Sequence, residues 1–315
     1  MPLPKVPPSG VWAPSVTLFD PKTDELVLDA QGKYYAYLSK TGLAGLVVLG
    51  TNAETFLLTR EERKTLLETA RKAVGPDFPI MAGCGGHSTK QVLEFLNDAA
   101  AAGANYALVL PPGYFGKATT PAVVENLFDE VATKTPIPIV LYNFPIVCNG
   151  VDLESATIAA LARRHESIVG VKLTCGSVAK ITRLAAELPP ERFATFGGQS
   201  DFLIGGLSVG SAGCIAAFGN VFPRALSRIY NLWKEGKHDE ALALHRKAAL
   251  AEQPCKAGIA AVKYAAATYT APGAGIENAL ELFKPRRPYT EATAAQKQAV
   301  DAQTAELAQF EVTLR

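Results

Sequence analysis

Histidine is scarce in this chain, with four in 315 residues. Zinc-assisted aldol or hydrolytic chemistry needs several His and carboxylate ligands converging on one point. Only His87 falls at the end of an apolar run, whereas His165, His238 and His245 fall in helical stretches or their flanks. No metal is expected, and His87 reads as structural or substrate-adjacent. Cysteine is sparse too: Cys84, Cys148, Cys175, Cys214 and Cys255 lie far apart, without a C-x-x-C pair. Such an odd, scattered set reads as reduced thiols, not as a disulfide framework. Neither sign of charge is in surplus, since 31 basic residues face 30 acidic ones. With no sustained basic run, nothing draws nucleic acid. No apolar stretch is long enough to span a bilayer. The opening MPLPKVPPSG lacks a signal-peptide apolar region and an Arg-rich amphipathic pattern, and the closing EVTLR carries no prenylation, retention or peroxisomal signal. These absences lead to the expectation of a cytoplasmic protein that binds no membrane.

What is present is alternation. Eight short, nearly continuous apolar runs recur at intervals of roughly 20–35 residues, as strands covered on both faces should. They are VWAPSVTLF from Val11, GLVVLG from Gly45, PIMAGC from Pro79, YALVLP from Tyr106, IPIVLYNF from Ile137, IVGVKLT from Ile168, FATFGG from Phe193 and GCIAAF from Gly213. Amphipathic segments lie between them. Thr59-Arg60-Glu61-Glu62 has capping-box spacing, with Leu66, Leu67, Ala70, Ala73 and Val74 on one helical face. Ser88-Thr89-Lys90-Gln91 repeats the signal, and Gly103 supplies a stop. An open doubly wound sheet would need a glycine fingerprint after its first strand, and LFDPKTDE stands there instead. The expectation is an α/β protein: a (β/α)8 TIM barrel over 1–235. Over 236–315, HDEALALHRKAALAEQ, CKAGIAAVKYAAATY and TAAQKQAVDAQTAELAQFEV read as a C-terminal helical extension packed on the barrel.

Barrel enzymes carry their reactive groups at the C-terminal ends of the strands. Lys172 stands out there, set within an apolar run between Val171 and Leu173. A buried ammonium is costly, so such a lysine either finds a partner or sheds its proton. A desolvated amine attacks carbonyls to give an imine, whose protonated form is an electron sink. The plainer alternative is a lysine that snorkels to water. Tyr142 ends the neighbouring run, and by parity points to the same mouth, where a phenol can shuttle protons. Gly50-Thr51-Asn52 offers backbone N–H groups and two side-chain donors ahead of a helix, which suits a carboxylate. By itself that stretch is better read as an ordinary capped turn.

GTNAE at Gly50, YNFP at Tyr142 and GVKLTCG at Gly170 together resemble the dihydrodipicolinate synthase and N-acetylneuraminate lyase family of class I, pyruvate-dependent aldolases. The resemblance runs from about Gly10 to the C-terminal helices. It implies that Lys172 forms the Schiff base, that Tyr142 transfers protons, and that Thr51 and Asn52 hold the oxo acid's carboxylate. It also implies a homotetramer or dimer of dimers, and a further tyrosine reaching across a subunit contact. The matching stretch is Gly113-Tyr114-Phe115, with Tyr114 as the relay residue unless the register places Phe115 there. Dihydrodipicolinate synthases carry an arginine shortly after the YNxP tyrosine and two threonines in the first motif. Here Val147 and Asn52 stand in those places. A small hydroxyl residue followed by Asn is more similar to 4-hydroxy-2-oxoglutarate and 2-keto-3-deoxy sugar-acid aldolases. Losing a charge-assisted carboxylate contact argues against aspartate semialdehyde as partner.

The leading expectation is therefore cleavage of a 4-hydroxy-2-oxo acid, such as 2-keto-3-deoxy-L-galactonate or 4-hydroxy-2-oxoglutarate, to pyruvate and an aldehyde. Gly198 and the Phe218-Gly219 end would line the imine side and the aldehyde pocket, and no organic cofactor is needed beyond the covalent imine at Lys172. The rivals are a dihydrodipicolinate synthase-type condensation, a silent pyruvate-binding barrel, and a metal-dependent barrel hydrolase.

Overall fold

The structure is a computed structural model that describes residues 6–314. The extreme N-terminal residues 1–5 and the final residue of EVTLR, on which part of the targeting argument falls, lie outside the described residues. Eight parallel strands close into a barrel in sequence order: β1 (Gly10–Pro14), β2 (Gly45–Val48), β3 (Ile80–Gly83), β4 (Tyr106–Val109), β5 (Ile139–Asn143), β6 (Ile168–Leu173), β7 (Ala194–Gly197) and β8 (Gly213–Ile215). The surrounding helices are α1 (Leu28–Leu38), α2 (Arg60–Val74), α3 (Thr89–Ala101), α4 (Pro121–Lys134), α5 (Ser155–Arg164), α6 (Val178–Glu187), α7 (Leu203–Leu207) and α8 (Pro223–Lys234). Beyond them come α9 (His238–Glu252), α10 (Ile259–Tyr269), α11 (Ala279–Leu282) and α12 (Ala294–Thr313). The expected TIM barrel with C-terminal helices is the fold found.

Period-two alternation divides each strand between two cores. Trp12, Val47, Met81, Val140, Phe196 and Ile215 form one apolar cluster inside the barrel. Their neighbours Val11, Leu46, Ile80, Leu141 and Cys214 face outward, into the layer shared with the helices. The Thr59 capping box is complete, with Thr59 accepting from the Glu62 N–H and Glu62 accepting in return. At Ser88 half the box forms: Ser88 accepts from the Gln91 N–H, but the Gln91 side chain accepts from His87 instead.

Two expected elements are shorter than their apolar runs. The first strand stops at Pro14 although the run continues to Phe19. Past that point the backbone leaves the ladder, and side chains satisfy it: Asn220 accepts from the Val16 N–H at 3.3 Å, and Gln31 accepts from the Leu18 N–H at 2.8 Å. Hydrophobicity marked burial there, and the pairing that remains is an isolated antiparallel bridge of Phe19 with Leu26 outside the barrel ladder. The helix read from Cys255 begins only at Ile259. Gly258, at φ +133°, breaks it from the preceding turn in a conformation that an L side chain rarely adopts.

Candidate active site

One irregularity in the barrel decides where Lys172 points. Strand β5 pairs with β6 as Ile139 with Ile168 but Val140 with Gly170, leaving Val169 as an extra residue. A bulge of this kind resets the alternation of faces beyond it. Val169 therefore belongs to the interior cluster, Val171 and Leu173 face the outer layer, and Lys172 falls on the interior side beside its register partner Tyr142.

Both side chains are buried, Lys172 at 2 % exposure and Tyr142 at 3 %. The Lys172 Nζ donates to the Tyr142 hydroxyl at 3.2 Å and lies 4.3 Å from the centre of that ring. The same hydroxyl is 3.3 Å from Thr51 Oγ1. Amine, phenol and alcohol thus form one chain. Among the described residues, no carboxylate forms an ion pair with Lys172, in contrast to the buried Lys180 and Lys263, which pair with Asp152 and Glu54. An amine that a phenol hydroxyl contacts and that no carboxylate among the described residues pairs meets the first requirement of a carbonyl nucleophile.

The remaining expected residues differ in where the structure places them. Gly50 and half-buried Asn52 lie in the same tight turn as Thr51. Gly198 sits directly against the chain leaving β6: its N–H donates to Leu173 O at 3.0 Å, and a Cβ there would lie 2.5 Å from the Thr174 Cα. Gly219 packs against Ala13, at the β1 end. The Phe218 ring, however, is not on the interior side of the barrel. It is fully buried in the outer layer, edge-on to Phe222 at 5.3 Å, and the inward side chain of β8 is Ile215. The interior-facing parity of β8 ends at Ile215, so the aromatic three residues later turns to the opposite face.

Tyr114 stands apart from the triad. It is 77 % exposed, with Phe115 at 70 %. Phe56, His87, Tyr114 and Phe115 form a run of ring contacts, with centroids at 5.5, 6.1 and 5.3 Å. Exposed Ile146 and Val147 belong to the next loop, which meets Gly113 closely. His87 is thus part of this aromatic surface. Among the described residues, no group of three or more His, Cys, Asp or Glu could hold a metal ion. No helix among them is long and apolar enough to cross a membrane.

Three features escaped sequence reasoning. Thr174 Oγ1, two residues beyond Lys172, is buried without a hydrogen-bond partner, the kind of atom a ligand hydroxyl could satisfy. Glu54, in the same turns as Thr51, makes a buried ion pair with Lys263 of α10 at 2.7 Å. Burial pulls the Lys263 pKa down, with the Glu54 carboxylate working against that shift. Finally, Ser200, after β7, donates to Glu252 of α9 at 2.6 Å, while His245 bonds the Ser200 carbonyl at 2.8 Å. The Glu252 carboxyl is pushed up by burial. For the last two the signals existed, as titratable residues in the C-terminal helices, but their partners lie 45 to 209 residues away.

Comparison with known proteins agrees with the fold. A Coccidioides immitis protein provisionally named mitochondrial 4-hydroxy-2-oxoglutarate aldolase is 65% identical over 99% of both chains. The L-threo-3-deoxy-hexylosonate aldolase of Hypocrea jecorina is 35% identical over 98% of both. A crystal structure of a dihydrodipicolinate synthase family protein from Coccidioides immitis matches with TM-score 0.94 and 62% identity, covering 99% of each chain. The Escherichia coli family member YagE, solved in complex with pyruvate, matches at TM-score 0.86 and 26% identity over 95% of this chain and 98% of its own. The family model described as the dihydrodipicolinate synthetase family covers residues 7–306. With a closed barrel, a buried lysine–tyrosine–threonine chain at its mouth and a match along nearly its whole length, this protein belongs to the dihydrodipicolinate synthetase family.

Proposed function

We infer that this protein is a class I aldolase that cleaves a 4-hydroxy-2-oxo acid to pyruvate and an aldehyde. The observation that carries the reading is the Lys172–Tyr142–Thr51 chain, in which no carboxylate among the described residues pairs with the amine. Lys172 Nζ attacks the C2 carbonyl, water leaves, and a protonated imine forms. The C3–C4 bond then breaks, its electron pair moving into the imine to give an enamine as the C4 hydroxyl proton leaves through Tyr142. Protonation at C3 and hydrolysis release pyruvate and the free amine. Thr51 and Asn52 hold the substrate carboxylate, and Thr174 Oγ1 takes a hydroxyl of the departing half. No metal or organic cofactor has a task in this sequence, because the imine is the electron sink.

The names of the two relatives above favour 4-hydroxy-2-oxoglutarate or a 3-deoxy-hexulosonate over aspartate semialdehyde. So does the loop after Tyr142, where Ile146 and Val147 offer no cation. The exposed aromatic surface supports a homo-oligomer in which Tyr114 reaches a neighbouring subunit's site. Ile146→Glu should then lower both the sedimentation coefficient and the turnover. The reduced cysteines fit the cytoplasm; the mitochondrial names of relatives point elsewhere, and fractionation of a tagged chain decides.

The test is trapping. Pyruvate with borohydride should add a stable mass to the wild type and none to Lys172→Ala. Pyruvate release from a panel of 2-oxo-3-deoxy acids should follow and survive chelator. Condensation with aspartate semialdehyde, without cleavage of any hydroxy-oxo acid, would reverse the assignment to a synthase.

A further inference from the structure

The first motif is held in place from outside the barrel. Thr51 and Glu54 lie in two successive tight turns, and Glu54 itself takes the left-handed conformation at φ +57° where those turns join. The Glu54 N–H donates to Thr51 O at 3.0 Å, so the two residues share one turn. The Glu54 carboxylate is buried and points into the C-terminal helices. Its Oε1 meets Lys263 Nζ at 2.7 Å, and its Oε2 accepts from the Arg286 N–H at 2.8 Å. Lys263 is fully buried; its ammonium lies 4.8 Å from the Phe19 ring centre and salt-bridges only Glu54 among the described residues. Arg286 adds a clamp beside it, donating to Leu57 O and to both oxygens of Glu62.

A buried ion pair is weak evidence for stability, because desolvation offsets most of its attraction. What it does well is fix geometry, since neither charge can move without leaving the other unpaired. We propose that Lys263, on the C-terminal extension, is a positioning residue that sets Thr51 for the oxo acid's carboxylate through its buried pair with Glu54. The inference rests on the Schiff-base reading above. It makes the helices after the barrel part of the active site's geometry, although Lys263 touches no reacting atom. A carboxylate subsite displaced by a fraction of an ångström loses affinity for carboxylate-bearing ketones and leaves the amine's own reactivity intact.

The experiment compares two ketones in borohydride trapping of the full-length protein, well below its melting temperature. Pyruvate carries the carboxylate and acetone does not. Lys263→Met should raise the half-saturating pyruvate concentration about tenfold while leaving that for acetone unchanged. Because Lys263→Met strands a buried Glu54 charge and could unfold, the E54Q/K263M double variant, with neither charge buried, carries the same expectation. A folded double variant with wild-type half-saturation by pyruvate overturns the proposal. Equal shifts for pyruvate and acetone also overturn it, since they mean general support of the fold. Failure of the wild type to be trapped by either ketone overturns instead the Schiff-base reading on which it rests.

Discussion

Gly198→Ala is the sharpest small perturbation of this site. An alanine Cβ would stand 2.1 Å from Thr174 Oγ1, 2.5 Å from the Thr174 Cα and 2.7 Å from its Cβ. Carbon atoms in contact settle at about 3.5–4.0 Å, so the two chain segments must part by roughly 1 Å. Relief by rotating a side chain is closed off, because one of the clashing atoms is backbone. The Gly198 N–H bond to Leu173 O holds the segments together, so the displacement passes into the end of β6, next to Lys172. Overpacking of this kind costs about 1–3 kcal/mol, or about 2–4 °C of melting temperature per kcal/mol. A misplacement near 1 Å costs on the order of 100-fold in rate. The assay is kcat/KM for pyruvate release beside a thermal melt. Gly205→Ala is the control, since its added Cβ would meet nothing nearer than Val178 at 3.8 Å, and it lies in helix α7, where alanine should stabilise by roughly 0.5–1 kcal/mol. A Gly198→Ala enzyme within twofold of wild type, with an unchanged melt, would refute the reasoning from close approach to catalytic geometry.

Other expectations follow from the same site. Tyr142→Phe removes the proposed proton carrier but leaves the amine, so turnover should fall by about 10²–10⁴ while borohydride still traps pyruvate; loss of trapping would make the tyrosine essential to imine formation itself. Burial raises the Glu252 pKa above its ordinary 4.5. The folded state then holds more protons than the unfolded one, so this group's contribution to stability falls as pH climbs from 4.5 through the raised value. Glu252→Gln is neutral throughout and should remove that fall. Denaturant midpoints between pH 4.5 and 8 check it, and parallel profiles for the two proteins would rule it out.

Much of this was legible in the chain itself. Eight apolar runs spaced by amphipathic helices specify parallel strands covered on both faces, and that pattern admits few architectures. Lys172 was visible because a lysine inside such a run has no inexpensive place to put its charge. Its neighbour Tyr142 followed from strand order alone. Three-dimensional structure was needed wherever the deciding partner was distant or the alternation was broken. The extra residue at Val169 determines which face Lys172 takes, and a one-residue bulge leaves no mark in hydrophobicity. Phe218 looked like a mouth residue by position, yet its ring lies in the outer layer. Glu54 and Lys263 are 209 residues apart, each unremarkable alone, and they acquire meaning only when folding removes both from water. Sequence fixes which groups must be buried; only the folded chain decides which of them meet, because local periodicity carries no information about the partner that desolvation makes necessary.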